Sequence, residues 1–366
     1  MLTWSNTLQP PCYRELLQFL RAKPKPFSVV VMPDFFLDRL VSLEWTVETL
    51  GDLLNSVVER KGGSIDGITQ SELRGGNAVN TASALSMLGA HVVPIICTDR
   101  LGRQLIRHYL EKPNVDLSHV KIHKYASITT ALELEKGSEK CNVMLRNVGS
   151  LAGFGPQNLS TSDFEAIDDA DYVCVFNWAG TKRFGTELAE EVFQRAKLKG
   201  KGKTYYDTAD PTPNERKIPE LMERVLKNDS LDVLSVNENE ATAYAQYLER
   251  TKGLKPSPLM NLAKKSARVL ASKLHARIDL HTTKFSATFT KRGSTSVRAL
   301  NVRTLRVTGA GDAWNAGNIL GDASKLSDEC RLALANAVAA YYISNRDGKH
   351  PTRKQLLKFL EKHKLP

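Results

Sequence analysis

Four short apolar runs, each closing on an amide or a carboxylate, constrain this chain more than any other feature. The run "FSVVVMPDFFLD" carries Asp34, while "YVCVFN" ends on Asn177, "TYYD" on Asp207 and "DVLSVN" on Asn237. Apolar, β-branched runs without polar alternation suit strands buried on both faces. Amphipathic segments lie between them. "GNAVNTASALSMLGA" sets Val79, Ala82, Leu85 and Leu88 on one stripe with Gly89 placed as a C-cap, and "GTELAEEVFQRAKLKG" and "PELMERVLKN" follow later. This alternation predicts a doubly wound α/β fold. Ligands of such sheets bind beyond the carboxyl ends of the strands, so the four polar residues are expected to meet at one crevice. Each alone is also what a turn favours.

Two regions break the pattern. "GGSIDGITQSELRGG" is short, polar and glycine-flanked, and "VKIHKYASITTALELEKGSEKCNVMLRNVG" alternates like antiparallel strands with a turn at Lys136-Gly137-Ser138. They predict a small β-sheet lid over the crevice, with strands from about 47–74 and 120–150. Residues 1–26 hold "YRELLQFLRA" and a Pro-Lys-Pro linker, which read as a helical extension before one domain over 27–366. A chain of 366 residues is long enough to bury such a core.

The net charge of +11 raises the question of a nucleic-acid partner. The Lys and Arg residues are dispersed, and the basic stretches near 198–203 and at the C-terminus lack interleaved aromatics for base stacking. No specific nucleic acid is expected; the charge reads as solvated surface that attracts anionic substrates. No apolar run approaches the roughly 20 residues of a membrane span, so no membrane partner is expected. Five scattered cysteines without Cys-x-x-Cys spacing suit a reducing setting, and a cytoplasmic protein is expected.

Three motifs carry chemistry. In "RGGNAVNTASALSMLG", Gly75-Gly76 frees the backbone, and Asn77 and Asn80 lie within one turn of a helix start, where they cap the helix or hold hydroxyls of a polar ligand. In "SVNENEATAYA", Asn237 and Glu240 stand three apart past a strand. They either cap the next helix or bind a phosphate oxygen and, through water, a magnesium ion. In "RVTGAGDAWNAGNILGD", Gly309-Ala310-Gly311-Asp312 presents bare N–H groups at a helix N-terminus, a ready anion site, with a carboxylate in reach. The third glycine of a dinucleotide fingerprint is absent, and no G-x-x-x-x-G-K-[ST] loop occurs.

Together and in this order, "GGNAVNTASALSMLG", "NENE" and "TGAGDAWNAG" resemble the ribokinase-like (PfkB) family of carbohydrate and nucleoside kinases, over roughly residues 27–360. The resemblance implies a Rossmann-like three-layer α/β/α core with a β lid. It also implies transfer of the ATP γ-phosphate to a hydroxyl of a sugar or sugar-like substrate, with nucleosides as the alternative acceptors. Carried over by position, Asp312 is the catalytic base, and the backbone of Gly309, Ala310 and Gly311 forms the anion hole. Asn237 and Glu240 organise magnesium and phosphates, with Thr308 toward the nucleotide and Asn336 in the adenine pocket. Gly76, Asn77, Asn80 and Asp38 hold the acceptor, with Asp34 a second candidate. A homodimer through the lid is familiar in the family. A non-catalytic sensor of nucleotide or sugar has no use for the acid in "GAGD".

The chain departs from the family pattern in three places. Many relatives carry Asp-Thr-Thr before Gly-Ala-Gly-Asp, the leading Asp helping to bind an activating monovalent cation; Arg306 stands there instead. Potassium activation is therefore not expected. The family's glycine loop beside the nucleotide phosphates is replaced by "IDLHTTKFSATFTKRGS". There either "TKRGS" or the group His281, Thr282 and Thr283 takes the role, or His281 is a core or turn residue. Met32-Pro33 replaces a usual glycine at the end of the first strand.

Overall fold

The computed structural model describes residues 11–43, 45–136, 139–249, 259–306, 308–345 and 347–363. An eight-stranded sheet forms the middle layer, in the order Gly293–Arg298, Phe285–Thr290, Arg277–His281, Val233–Val236, Lys203–Asp207, Tyr172–Phe176, Ser28–Met32, His91–Pro94. From Arg277–His281 to His91–Pro94 the strands are parallel, and the two at the other edge are antiparallel. The strands Tyr172–Phe176 and Val233–Val236 are buried along their whole length, as a sheet covered on both faces requires. Val30 and Met32 meet Leu188, Val192, Tyr244 and Leu270 of the helices on one face. Val29 and Val31 meet Val79, Leu85, Ile106 and Ile319 on the other. The architecture is the three-layer α/β/α core that the alternating pattern implies.

"FSVVVMPDFFLD" is two strands rather than one. Ser28–Met32 belongs to the central sheet, the chain turns at Pro33 to Phe35, and Phe36–Ser42 enters a separate four-stranded sheet with Thr69–Gly75, Ser127–Lys136 and Glu139–Asn147. This sheet is the lid. The segment expected to supply lid strands at about 47–74 divides into the helix Val47–Glu59 and the strand Thr69–Gly75. Thr46 caps that helix, and Leu50 packs beneath the lid with Val41, Leu43 and Leu134. Lys121–Ile122, also expected in the lid, pairs instead with Cys97–Thr98. The turn at Lys136-Gly137-Ser138 falls partly outside the described residues.

The helix Pro11–Arg21 is part of the core. Tyr13, Leu16 and Leu20 are buried with Leu334, Leu356 and Leu360, and the Tyr13 hydroxyl donates to the Leu360 carbonyl at 2.8 Å. Among the described residues no helix is long and apolar enough to cross a membrane.

Candidate active site

Gly309 caps the helix Ala310–Ala323 with φ at 86°, and a Cβ there would fall 2.6 Å from the Tyr342 hydroxyl oxygen, so only glycine fits. The first-turn N–H groups lack intrahelical acceptors. Asp312, in that turn, is buried, with its carboxylate fixed on both oxygens: Asn77 Nδ2 donates to Oδ1 at 2.8 Å and Asn80 Nδ2 to Oδ2 at 2.9 Å. Arg74 Nε in turn donates to Asn80 Oδ1 at 2.9 Å. Burial pushes the Asp312 carboxyl well above the usual carboxylate range, and the charges of Asp207 and Asp34 add to this, while the two amides oppose it. Asn77 and Asn80, expected to hold acceptor hydroxyls, thus serve first to aim Asp312.

Two cavities meet at this helix. One, of about 550 Å³, is lined by Asn237, His281 to Lys284, Leu300, Trp314 and Asn336. The other, of about 720 Å³, is roofed by one lid face and lined by Asp38, Asn77, Asn80, Asn177, Asp207, Glu240, Thr308 and Asp312. Asn237, His281, Arg306 and Gly311 line both.

Three of the four strand-end residues, Asn177, Asp207 and Asn237, reach the second cavity. Asp34 does not. Its carboxylate accepts from the Asn77 and Ala78 N–H groups and from Asn177 Nδ2, each at 2.8 Å, so it caps the helix Asn77–Met87 from the turn after Ser28–Met32. Gly76 permits that approach: φ is 93°, and a Cβ would lie 2.9 Å from the Asp34 carbonyl oxygen. Asp38 is the candidate that faces the cavity. Burial pushes it up to about 6, against hydrogen bonding from Thr129 and the charge of Arg146. If ionised Asp38 accepts acceptor hydroxyls, the acceptor KM rises as the pH falls through about 6, and Asp38→Asn raises it roughly tenfold at neutral pH. Initial rates against pH check this; a KM flat across that range excludes the contact.

Asn237 and Glu240 form a reciprocal cap. The Asn237 N–H and Nδ2 donate to Glu240 at 3.0 and 2.7 Å, and Asn237 Oδ1 accepts from the Glu240 N–H at 3.1 Å. Glu240 still lines the second cavity, and burial with the neighbouring Asp207 charge pushes its carboxyl well up. Asn336 lines the first cavity with its amide engaged: Trp314 Nε1 donates to it at 3.0 Å, and it donates to the Arg298 carbonyl at 3.0 Å. It shapes that wall. Thr308 lies on the second cavity rather than beside Asn336. "TKRGS" makes the turn between Phe285–Thr290 and Gly293–Arg298, and none of it lines either cavity. His281, Thr282 and Thr283 do line the first.

Arg74 and Tyr342 emerge only in the structure. Arg74 sits under a glycine pair in sequence, where its reach to Asn80 gives no local signal. Tyr342 lies within the apolar helix Asp328–Ile343 and reads there as core.

The description "pfkB family carbohydrate kinase" matches residues 46–355, and the chain belongs to this family of kinases. Among solved structures, the fold is similar to ribokinase from Cryptococcus neoformans var. grubii serotype A in complex with ADP (TM-score 0.69, 15% identity, covering 92% of this chain and 99% of that one). It is also similar to Arabidopsis thaliana ribokinase complexed with ribose and ATP (0.67, 19%, 93% and 99%). Adenosine kinase from Sinorhizobium meliloti is a third (0.67, 18%, 92% and 99%). At these identities the likeness shows the fold. A search of the curated proteins gives no match.

Proposed function

We propose that this protein moves the ATP γ-phosphoryl group to a hydroxyl of a sugar or sugar-like acceptor, in a reducing, cytoplasmic setting to which five unpaired cysteines are suited. One observation carries the reading: a helix N-terminus with bare amides and a carboxylate fixed by two asparagines share the wall where two cavities meet. The nucleotide occupies the cavity at Asn336, and the acceptor occupies the one beneath the lid, with Asp38 and Asn77 as partners for its hydroxyls.

Asp312 takes the proton of the attacking hydroxyl as its oxygen bonds to the γ-phosphorus. The bond from phosphorus to the β–γ bridging oxygen breaks, and ADP leaves. The N–H groups of Gly309, Ala310 and Gly311 hold the oxygens on which charge is spread, a positioning and electrostatic task that phosphoryl transfer chiefly demands. The lid keeps water from competing with the acceptor.

Buried Glu240 and Asp207 repel each other without an ion pair among the described residues, a charge imbalance that a divalent cation fits. Magnesium held mostly through its waters by Glu240 and Asn237 would neutralise phosphate charge there. With Arg306 in the place of the acid that helps relatives bind a monovalent cation, activation by potassium is not expected.

The lid face above the acceptor also presents Leu40, Ala131 and Met144. This apolar row favours an acceptor with a flat apolar part, so nucleosides form the second reading. A panel of pentoses, hexoses, sugar acids and nucleosides with coupled ADP detection tests both. Turnover is expected with a sugar, and equally in potassium chloride and choline chloride. Nucleosides alone being phosphorylated would replace the first reading with the second; no turnover on any acceptor would remove both.

A further inference from the structure

We propose that Arg306 is a catalytic residue whose guanidinium meets the migrating phosphoryl group where the two cavities join; this rests on the kinase reading above. Of the four residues that line both cavities, Asn237 is engaged in its reciprocal cap and Gly311 contributes backbone. Burial pushes His281 down, which leaves its ring neutral. Arg306 therefore brings the permanent positive charge to the junction.

The guanidinium is held in place but not neutralised. One face lies against Tyr342, whose ring is backed by His350 with centroids 4.6 Å apart. It also rests on Gly348, where a Cβ would come 1.7 Å from Nη1, so any other residue would displace it. Its Nε is buried without a hydrogen-bond partner, and among the described residues no carboxylate forms an ion pair with it. Arg306 as a whole is half-buried, but a donor shut off from water without a partner is costly, and an anion that visits the junction and accepts from the guanidinium offsets that cost. The hydroxyl of the same Tyr342 abuts Gly309, so guanidinium and anion-hole loop pack on one ring. The planar donors of arginine suit phosphate oxygens, and charge at the transferring group is where an arginine has its largest effect on phosphoryl transfer.

Arg74, the other guanidinium near Tyr342, is placed differently. It donates to Asn80 and contacts His350 Nδ1 at 3.3 Å, and it lines only the second cavity. It acts on Asp312 through Asn80.

The test uses the full-length enzyme with ATP and the acceptor that the panel identifies, comparing wild type, Arg306→Met, Arg306→Lys and Asp312→Asn. Arg306→Met is expected to lower kcat roughly 10²–10³-fold, with both KM values within about threefold. Arg306→Lys should fall between, and guanidinium chloride at tens of millimolar should restore part of the Arg306→Met turnover but none of the Asp312→Asn turnover. A kcat within about threefold of wild type, or a loss confined to KM, overturns the proposal, while an inactive Asp312→Asn keeps the kinase reading standing. An Arg306→Met protein that melts with wild type and binds ADP as tightly, yet gains nothing from guanidinium while Arg306→Lys matches Arg306→Met, also overturns it. If Arg306→Met fails to fold, Arg306→Lys decides: wild-type kcat overturns the role, and a selective fall in kcat supports it. A wild-type enzyme inactive on every acceptor removes the kinase reading first and this role with it.

Discussion

Asp312→Asn is expected to fold and bind nucleotide yet turn over roughly 10²–10⁴-fold more slowly than wild type, the range a positioned general base contributes. The amides of Asn77 and Asn80 both donate to the carboxylate, so an amide at 312 must turn its own NH₂ toward one of them. That donor then loses its partner, but the bare N–H groups of the helix remain, and so does part of the rate. Burial holds the Asp312 carboxyl well above its ordinary range, which makes it a stronger base while leaving it to be protonated at milder acidity. The kcat of the wild type should therefore fall on the acid side, while the protonation of Asp38 appears in the acceptor KM. In Asp312→Asn the acid limb of kcat disappears. Asp312→Glu, which pushes the carboxylate out of reach of the paired amides, should be nearly as slow. Single-turnover and steady-state kinetics across pH check this, and an Asp312→Asn enzyme with wild-type kcat would dismiss Asp312 as the base.

The parts of the site that rest on local backbone geometry are legible in the sequence. Gly309 and Gly76 are there because positive φ and close neighbours exclude a side chain, and a glycine pair ahead of a helix announces that. The strand ends are legible too, because a parallel sheet must deliver its polar termini to one edge, and Asn177, Asp207 and Asn237 arrive there. Partnerships between distant segments are not. Asn77 and Asn80 meet an acid 235 and 232 residues away, and nothing in a helix start says whether its asparagines face ligand or protein. Asp34 reads like Asp38 in one apolar run, yet the chain turns between them and sends one to cap a helix and the other to the cavity. Nor does hydropathy mark the switch at Pro33 from central sheet to lid, because the apolar run resumes at once with Phe35, Phe36 and Leu37. Arg306 breaks a family pattern and so draws notice, but its place against Tyr342 and Gly348 comes from packing alone.

Arg331→Met is expected to cost about 3 kcal/mol of stability, the lower end of what breaking a buried charged pair costs. Arg331 is almost wholly buried and donates to Asp279 at 3.0 Å, to Asn318 and to Asp328 at 2.8 Å. Burial alone would raise the Asp279 carboxyl; the charges of Arg277 and Arg331 overcome it and hold the group well below 3.8. A depressed carboxylate adds stability that is complete above its unfolded value and is lost as the pH falls through its folded one. The wild type should thus keep this contribution at neutral pH, and Arg331→Met should lose much of it there. Methionine preserves most of the volume, so the loss reports charge and hydrogen bonding more than a cavity. Asp279 retains Arg277 at 2.9 Å and Thr288 at 2.6 Å, which keeps the cost from the upper end. The same network runs from Asp279 through Asn318, Tyr205 and Asn315 to Asp207 at the second cavity, so the pair also braces a wall of the site. Urea unfolding of Arg331→Met, Asp279→Asn and the double variant measures the coupling. The double should be less damaged than the sum by about 1–3 kcal/mol. Additive losses, or an Arg331→Met protein as resistant to urea as the wild type, would show that the pair contributes nothing to the fold.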